Sequence, residues 1–386
     1  MIKVMTAYTM EPEDVDYAVQ EILTQLGGNL LVNSIGLLFC NFEFIESSVV
    51  RKLCDRLPFN VAGCVSQGFA VKDAGEEFML ALMVLSSDDV EFVSGISASL
   101  SAGGEDAVEA LYRDLLARKT DLPEPALMLA FPPMFTGMTG NAIVRTLDRV
   151  SGGVPVFGSI AVDQTVELRA PETIYNGEHY SDQLPLVLLR GNIKPRFFAC
   201  SLHQQVQIAR NAKITKAQGN RLISINNMPA AAFMEKIGIG SQDNMNIMYA
   251  FPLVVDSHDG SEPRLIAMSG IDSDGALVSE QDIPASGTVT IGTIDEKLVI
   301  KSAHYLADKI KETSALNGLL IFSCLSRIFT LQNSMEEMTL FRQEFAGLPE
   351  SFLYVYSGGE ICPFYKQGED KPVNSFHQFT IVACAF

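Results

Sequence analysis

Gly318-Leu-Leu-Ile-Phe-Ser-Cys324 and Phe352-Leu-Tyr-Val-Tyr356 are two apolar runs, each short enough for one buried strand. Between them lie a polar break, Leu325-Ser-Arg327, and an amphipathic stretch over about 331–345 that predicts a helix. Strand, helix and strand of these lengths form a βαβ unit with parallel strands. The loops leaving the C-terminal ends of its strands then share one sheet edge, where open α/β sheets hold ligands. Ser326 and Arg327 are therefore expected near Gly358, Gly359 and Glu360. A final strand is expected over Phe376–Phe386.

The same order occurs twice upstream. Ile35–Cys40, a helix over about 45–57 and Asn60–Cys64 run into Val65-Ser-Gln-Gly68. Ala126–Phe131, a helix over 140–150 and Val154–Phe157 run into Gly158-Ser-Ile-Ala-Val-Asp163. Three βαβ units, each ending in a loop rich in Gly, Ser or Asp, are the main regularity. The short likeness of Gly36-Leu-Leu-Phe39 to Gly318-Leu-Leu-Ile-Phe322 suggests two related halves. Between the units, residues 78–85 and 90–96 read as paired strands joined by Ser86-Ser-Asp-Asp89, and 184–189 and 196–202 as antiparallel neighbours. After a polar, glycine-bearing stretch over 238–246 the chain is strand-rich until a helix over 297–313. The expected fold class is α/β: two intertwined halves, residues 1–225 and 226–386, each a mixed β-sheet with helices on its faces, built on βαβ units.

Composition narrows the function. The 386 residues carry a formal net charge of −18 with 28 Lys+Arg and no basic run, which argues against nucleic acid and anionic membrane surfaces as partners. No apolar run approaches bilayer length, and the first residues lack the charged and apolar regions of a signal peptide. Seven cysteines, mostly within apolar runs, fit buried thiols in a reducing cytoplasm. No Cys-x-x-Cys or His-x-x-x-His pair is present, so no structural zinc site is expected. Gly-x-Ser-x-Gly, Walker A and Rossmann motifs are absent, and the chain is read as a non-enzyme.

A series of motifs then carries a likeness: Gly63-Cys64-Val-Ser66-Gln-Gly68, Val156-Phe-Gly158-Ser-Ile-Ala-Val-Asp163, Ile214-Thr-Lys-Ala-Gln-Gly219-Asn220, Phe251-Pro-Leu253, Ser323-Cys324-Leu-Ser-Arg327, Tyr356-Ser-Gly-Gly359-Glu360 and His377-Gln-Phe-Thr380. In order and spacing the chain resembles the FIST sensory proteins, with an N-terminal FIST domain followed by a C-terminal one. The resemblance implies a cytoplasmic input protein for signal transduction that binds a small ligand. It also implies coupling to a chemoreceptor, a kinase or a cyclic-di-GMP enzyme. Amino-acid-like ligands are implied, and some members are similar to haem-dependent nitric oxide sensors. Phe69 stands where the family usually has an acidic residue, and Ser159 and Ser326 where a glycine is common.

The expected ligand-binding residues are Gly63, Cys64, Ser66, Gly68, Gly158, Ser159, Asp163, Cys324, Ser326, Arg327, Gly359, Glu360 and His377. An Arg at a sheet edge offers a planar fork to a carboxylate, and a Glu opposite it holds an ammonium, so Arg327 and Glu360 together suit a zwitterion. The alternative is that they pair with each other and pin two loops. The glycines let backbone amides approach an anion, or only form tight turns. Asp163 is a pocket acceptor or a turn cap. Cys64 and Cys324 are reactive only beside a cation such as Arg327, and otherwise are buried, inert thiols. His377 contacts a ligand or is a satisfied core histidine. His203 is the candidate axial ligand if haem binds. A haem sensor, a protein–protein interaction module and a small-molecule enzyme stay open beside the small-ligand sensor.

Overall fold

A computed structural model describes residues 2–28, 30–118, 124–134, 137–163, 165, 170–202, 206–239, 251–258, 263–313, 316–347, 351–364 and 372–386. The first stretch runs β1 (Lys3–Thr9), α1 (Val15–Leu26), β2 (Asn33–Cys40), α2 (Glu43–Glu46), α3 (Val49–Cys54), β3 (Val61–Val65), β4 (Phe69–Val71), β5 (Gly75–Glu76) and β6 (Leu80–Ser87). The next runs β7 (Val90–Ile96), α4 (Leu100–Ala117), β8 (Pro125–Ala130), α5 (Gly140–Ser151), β9 (Val156–Ser159), β10 (Thr173–Tyr175), β11 (Glu178–Tyr180) and β12 (Pro185–Gly191). After β13 (Arg196–Ser201) come β14 (Val206–Gln218), β15 (Arg221–Ile225), β16 (Met228–Pro229), α6 (Ala230–Lys236), β17 (Leu253–Asp256), β18 (Arg264–Ile266), β19 (Gly270–Ile271), β20 (Leu277–Val278) and β21 (Gly287–Thr293). The chain ends with α7 (Glu296–Lys311), β22 (Gly318–Cys324), α8 (Leu325–Thr330), α9 (Glu336–Phe345), β23 (Ser351–Ser357), β24 (Glu360–Phe364), β25 (Val373–His377) and β26 (Thr380–Ala385).

The fold is α/β, with mixed sheets and helices on their faces. Three six-stranded sheets have the orders β1-β6-β2-β3-β10-β11, β7-β12-β8-β9-β24-β25 and β13-β26-β22-β23-β4-β5. Their positions correspond one to one. Each sheet has one parallel pair, β2 with β3, β8 with β9 and β22 with β23, so the three expected βαβ units are present, one per sheet. The sequence suggests related halves; the strand orders show three repeats. Their intertwining follows a cyclic scheme. The short hairpin after each unit leaves for another repeat's sheet: β4 pairs with β23, β10 with β3 and β24 with β9. The third repeat is interrupted between β13 and α7 by a fourth sheet, β14 to β21, which has its own apolar core around Leu222, Leu253, Leu277 and Ile291. The expected division at 225/226 falls inside that sheet, at the turn between β15 and β16.

The three six-stranded sheets share a core. Strand alternation turns Leu37 and Phe39 of β2, Leu127 and Leu129 of β8, and Leu320 and Phe322 of β22 into it. Phe39, Phe131 and Phe322 occupy corresponding positions and meet edge to face. Their centroids lie 5.4 Å apart for Phe39–Phe131, 5.5 Å for Phe39–Phe322 and 6.5 Å for Phe131–Phe322. On the outer face of the third sheet, Leu319, Ile321, Tyr354 and Tyr356 pack against Ala303, Leu306, Ala307 and Ile310 of α7 and Phe341 and Phe345 of α9.

Several local expectations are corrected. β6 and β7 are not a hairpin: β6 pairs with β1 and β2, and β7 with β12 in another sheet. β12 and β13 likewise lie in different sheets. Both short connectors carry the chain from one repeat to the next, so turn-like residues there join strands that diverge. Leu325–Thr330 is helix α8 rather than a break. The last strand is two strands in two sheets, β25 and β26, separated where Phe379 adopts a φ of 56°. The helix over 45–57 is also split, by Ser48 at φ 69°.

Candidate functional site

The loops that follow β3, β9 and β23 grip one another through their backbones. The Val162 N–H donates to Val65 O at 3.1 Å, and the Gly358 N–H to Ile160 O at 3.0 Å. Ile160 N–H donates to Gly359 O at 2.9 Å, and Tyr356 N–H to Gly68 O at 3.3 Å. The Ser66 hydroxyl donates to Tyr356 O. Gly68 has a φ of +63°, and a Cβ there would sit 2.6 Å from the Tyr356 ring, so only glycine fits. Gly63 and Gly158 are a corresponding pair. A Cβ on either would lie 1.8 Å from the carbonyl oxygen of Leu38 or Ala130 on the neighbouring parallel strand. These glycines thus serve close packing of strands and turns. The loops at 63–68, 158–163 and 357–360 thus meet.

One polar cluster lies at this junction. Ser159 stands opposite Glu360 in the β9–β24 pairing, and Cys64 Sγ lies 3.9 Å from Ser159 Oγ. The Ser357 hydroxyl donates to Glu360 Oε1, and Cys324 is in register with Ser357. All five side chains are buried. Burial raises the Glu360 carboxyl well above its ordinary range, against the pull of Ser357, the Arg327 charge and the Thr380 backbone, and so favours the neutral acid. Its Oε2 is buried with no hydrogen-bond partner among the described residues. Burial also pushes the Cys64 thiol to about 12, and burial together with Glu360 pushes Cys324 to about 12. Neither is a thiolate nucleophile at neutral pH.

Arg327 keeps only part of its fork unengaged: its Nη1 is buried without a hydrogen-bond partner among the described residues. It forms a fully buried ion pair with Glu337 of α9. Its Nε donates to Glu337 Oε1 at 3.0 Å, and its Nη2 to the same oxygen, to Val299 O at 3.2 Å and to Ser302 Oγ at 2.8 Å. Glu337 Oε2 accepts from Ser323 Oγ at 2.9 Å and Tyr354 OH at 3.2 Å. Burial works against the Arg327 charge, but Glu337 more than offsets it and holds the pKa above its ordinary value. The pair lies on the helix side of the third sheet, with Tyr354. Sequence reasoning missed Glu337, although a signal exists. Glu337, Phe341 and Phe345 recur at four-residue spacing on α9, so one carboxylate shares the apolar stripe.

The other candidates fall into structural roles. Asp163 is a turn cap: Oδ1 accepts from Thr165 N at 2.8 Å and Thr165 Oγ1 at 2.7 Å, and Oδ2 from Ala170 N. His377 Nε2 lies 3.0 Å from Cys362 O, and burial lowers its pKa, so the neutral ring donates there. Ser326 is buried in α8, where its carbonyl accepts from Thr330 Oγ1 at 2.9 Å. His203 lies outside the described residues. Each described histidine has a protein partner: Glu172 for His179, Asp256 for His258, Glu344 for His304 and Cys362 O for His377. The described residues contain no cluster of His, Cys, Asp and Glu that could hold a metal ion, and no helix long and apolar enough to cross a membrane.

The arrangement can be compared with known proteins. The FIST N domain matches residues 34–228, and the FIST C domain matches residues 229–363. This chain belongs to the FIST family. FIST domains are associated with sensory signal transduction and with small-ligand binding. No curated protein matches the chain. In this FIST protein the two matched regions meet within the fourth sheet, and the third repeat draws on both.

Proposed function

We propose that this FIST protein is a cytoplasmic, non-catalytic sensor whose ligand is a small organic anion or an amino-acid-like molecule, bound where the loops of the three repeats converge. The observation that carries the reading is Glu360. Its carboxyl, which burial biases toward the neutral acid, has one oxygen held by Ser357 and the other buried without a partner among the described residues. A buried polar atom left unpaired calls for a water or a ligand. A neutral acid can donate to a ligand carboxylate, whereas an ionised one would repel it. Cys64, Ser159 and Cys324 supply further polar edges. The raised thiols and the engagement of Arg327 by Glu337 favour binding over catalysis. A ligand here touches loops from several repeats at once, so it favours one arrangement of them, and a signalling partner reads that arrangement.

The test is a thermal-shift screen of the protein and its Glu360→Leu variant against amino acids and small organic acids. A stabilising hit in the parent that the variant loses supports the reading. No hit in either class, or hits that ignore the substitution, would remove it.

A further inference from the structure

A groove of about 400 Å³ runs along the outer face of α7, within the size range of small-ligand sites (roughly 300–1,000 Å³). Ile300 and Leu331 supply its apolar lining, with Lys297, Lys301 and His304 of α7 and Glu336 at the start of α9 among its charged groups. Lys297 and Lys301 are one helical turn apart and so stand on one face. Neither has a carboxylate within ion-pair distance among the described residues, whereas Lys309 and Lys311 of the same helix pair with Glu312 and Glu344. The chain carries 46 Asp+Glu against 28 Lys+Arg, so an unmatched pair of like-charged lysines beside a groove is a departure from its prevailing charge. Glu296, also at the groove, is engaged by the Gln332 amide, and His304 by Glu344 at 3.2 Å.

We propose that this groove is a second small-ligand site, separate from the Glu360 cluster, and that it takes an organic carboxylate with a short apolar chain. The carboxylate lies between Lys297 and Lys301, and the chain lies on Ile300 and Leu331. An apolar chain distinguishes this ligand from inorganic phosphate, which would gain only the charge contact. The groove overlies the helices that hold the buried ion pair: Val299 and Ser302 of α7 contact Arg327, and Glu336 precedes Glu337. Filling it therefore ties α7 to α8 and α9.

Isothermal titration of the full chain with hexanoate, acetate and inorganic phosphate tests the proposal. Saturable binding is expected for hexanoate, and weaker binding for the other two. The Lys297→Glu/Lys301→Glu variant should bind hexanoate about tenfold more weakly or worse, a change of one decade in the binding constant. Lys309→Glu, at the far end of the same helix, should leave binding unchanged. Raised salt should weaken binding, since the lysines are exposed. The proposal is overturned if no probe saturates, if phosphate and acetate match hexanoate, or if the double variant binds as the parent does. Binding lost in Glu360→Leu but kept in the double variant would also overturn it, while leaving the Glu360 reading standing.

Discussion

Removing the Glu337 side chain should be among the most damaging single changes to this protein. Arg327 and Glu337 are both completely buried, and Glu337 accepts from Arg327, Ser323 and Tyr354. Glu337→Ala leaves the guanidinium charge in a low-dielectric interior with only Val299 O and Ser302 Oγ as acceptors. Breaking a buried pair in this way costs roughly 3–5 kcal/mol, far more than the ~1 kcal/mol upper end of an exposed pair. Removing both charges is a different matter. Arg327→Met with Glu337→Leu fills similar volume with apolar atoms and should recover most of the loss, ending within about 1 kcal/mol of the parent or above it. Urea unfolding can measure the series, followed by circular dichroism and by tyrosine fluorescence, which no Trp obscures in this chain. A loss below about 1 kcal/mol for Glu337→Ala would show that water reaches Arg327. A double variant no more stable than Glu337→Ala would refute the uncompensated-charge argument.

Other outcomes follow from the same geometry. Gly63→Ala and Gly158→Ala should each prevent soluble folding, because the added Cβ meets a strand carbonyl at 1.8 Å; a soluble variant with parental circular dichroism would contradict this. Glu360 has a raised folded-state pKa, so its neutral form contributes stability that is complete below the ordinary glutamate range and is lost as pH rises through the folded value. Glu360→Gln should therefore flatten the decline in urea midpoint on going from acid to alkaline pH, and parallel slopes for the two proteins would count against it. Cys64 and Cys324, buried and pushed to about 12, should resist a thiol-titrating disulfide reagent at pH 8 in the native protein and react freely in urea, as peptide mapping would read. Phe131→Ala should cost about 3–5 kcal/mol by urea unfolding, since its ring closes the edge-to-face trio; a loss under 1 kcal/mol would mean that the trio does not hold the sheets together.

The parts of the fold that could be read from the chain are those written in local pattern. Ile35–Cys40, Ala126–Phe131 and Gly318–Cys324 are apolar runs followed by helical periodicity, and each is the first strand of a parallel pair. The glycine-bearing loops at 63–68, 158–163 and 357–360 signal close approach, and they do approach. Strand exchange could not be read the same way. β4, β5, β10 and β11 have two or three residues each, too short for any periodicity, and the strands that β4 and β10 join lie in other repeats. The connectors at 88–89 and 192–195 have turn composition whether or not the flanking strands pair. At the site, the sheet edge shared by the two strand ends suggested that Arg327 meets Glu360. The partner is instead selected by α9, whose apolar stripe carries Glu337 down onto the sheet. Charge type was legible from the chain, but pairing was decided by which face of a helix packs inward.

The exchanged hairpins impose an order of completion on a chain emerging from a ribosome. β3 gains its outer neighbour only when residues 173–175 have been made, and β4, paired early with β5 alone, cannot join its sheet until β23, from residue 351 on, exists. Until then the early strands present open edges, which are templates for mispairing with another copy. Contacts this distant in number also slow folding. A chain stopped at residue 225 would leave β4 and β13 without the sheet they join, whose core strands all lie after residue 317. Nascent copies should therefore depend on chaperones to keep those edges apart, and the N-terminal FIST region alone should accumulate as aggregate.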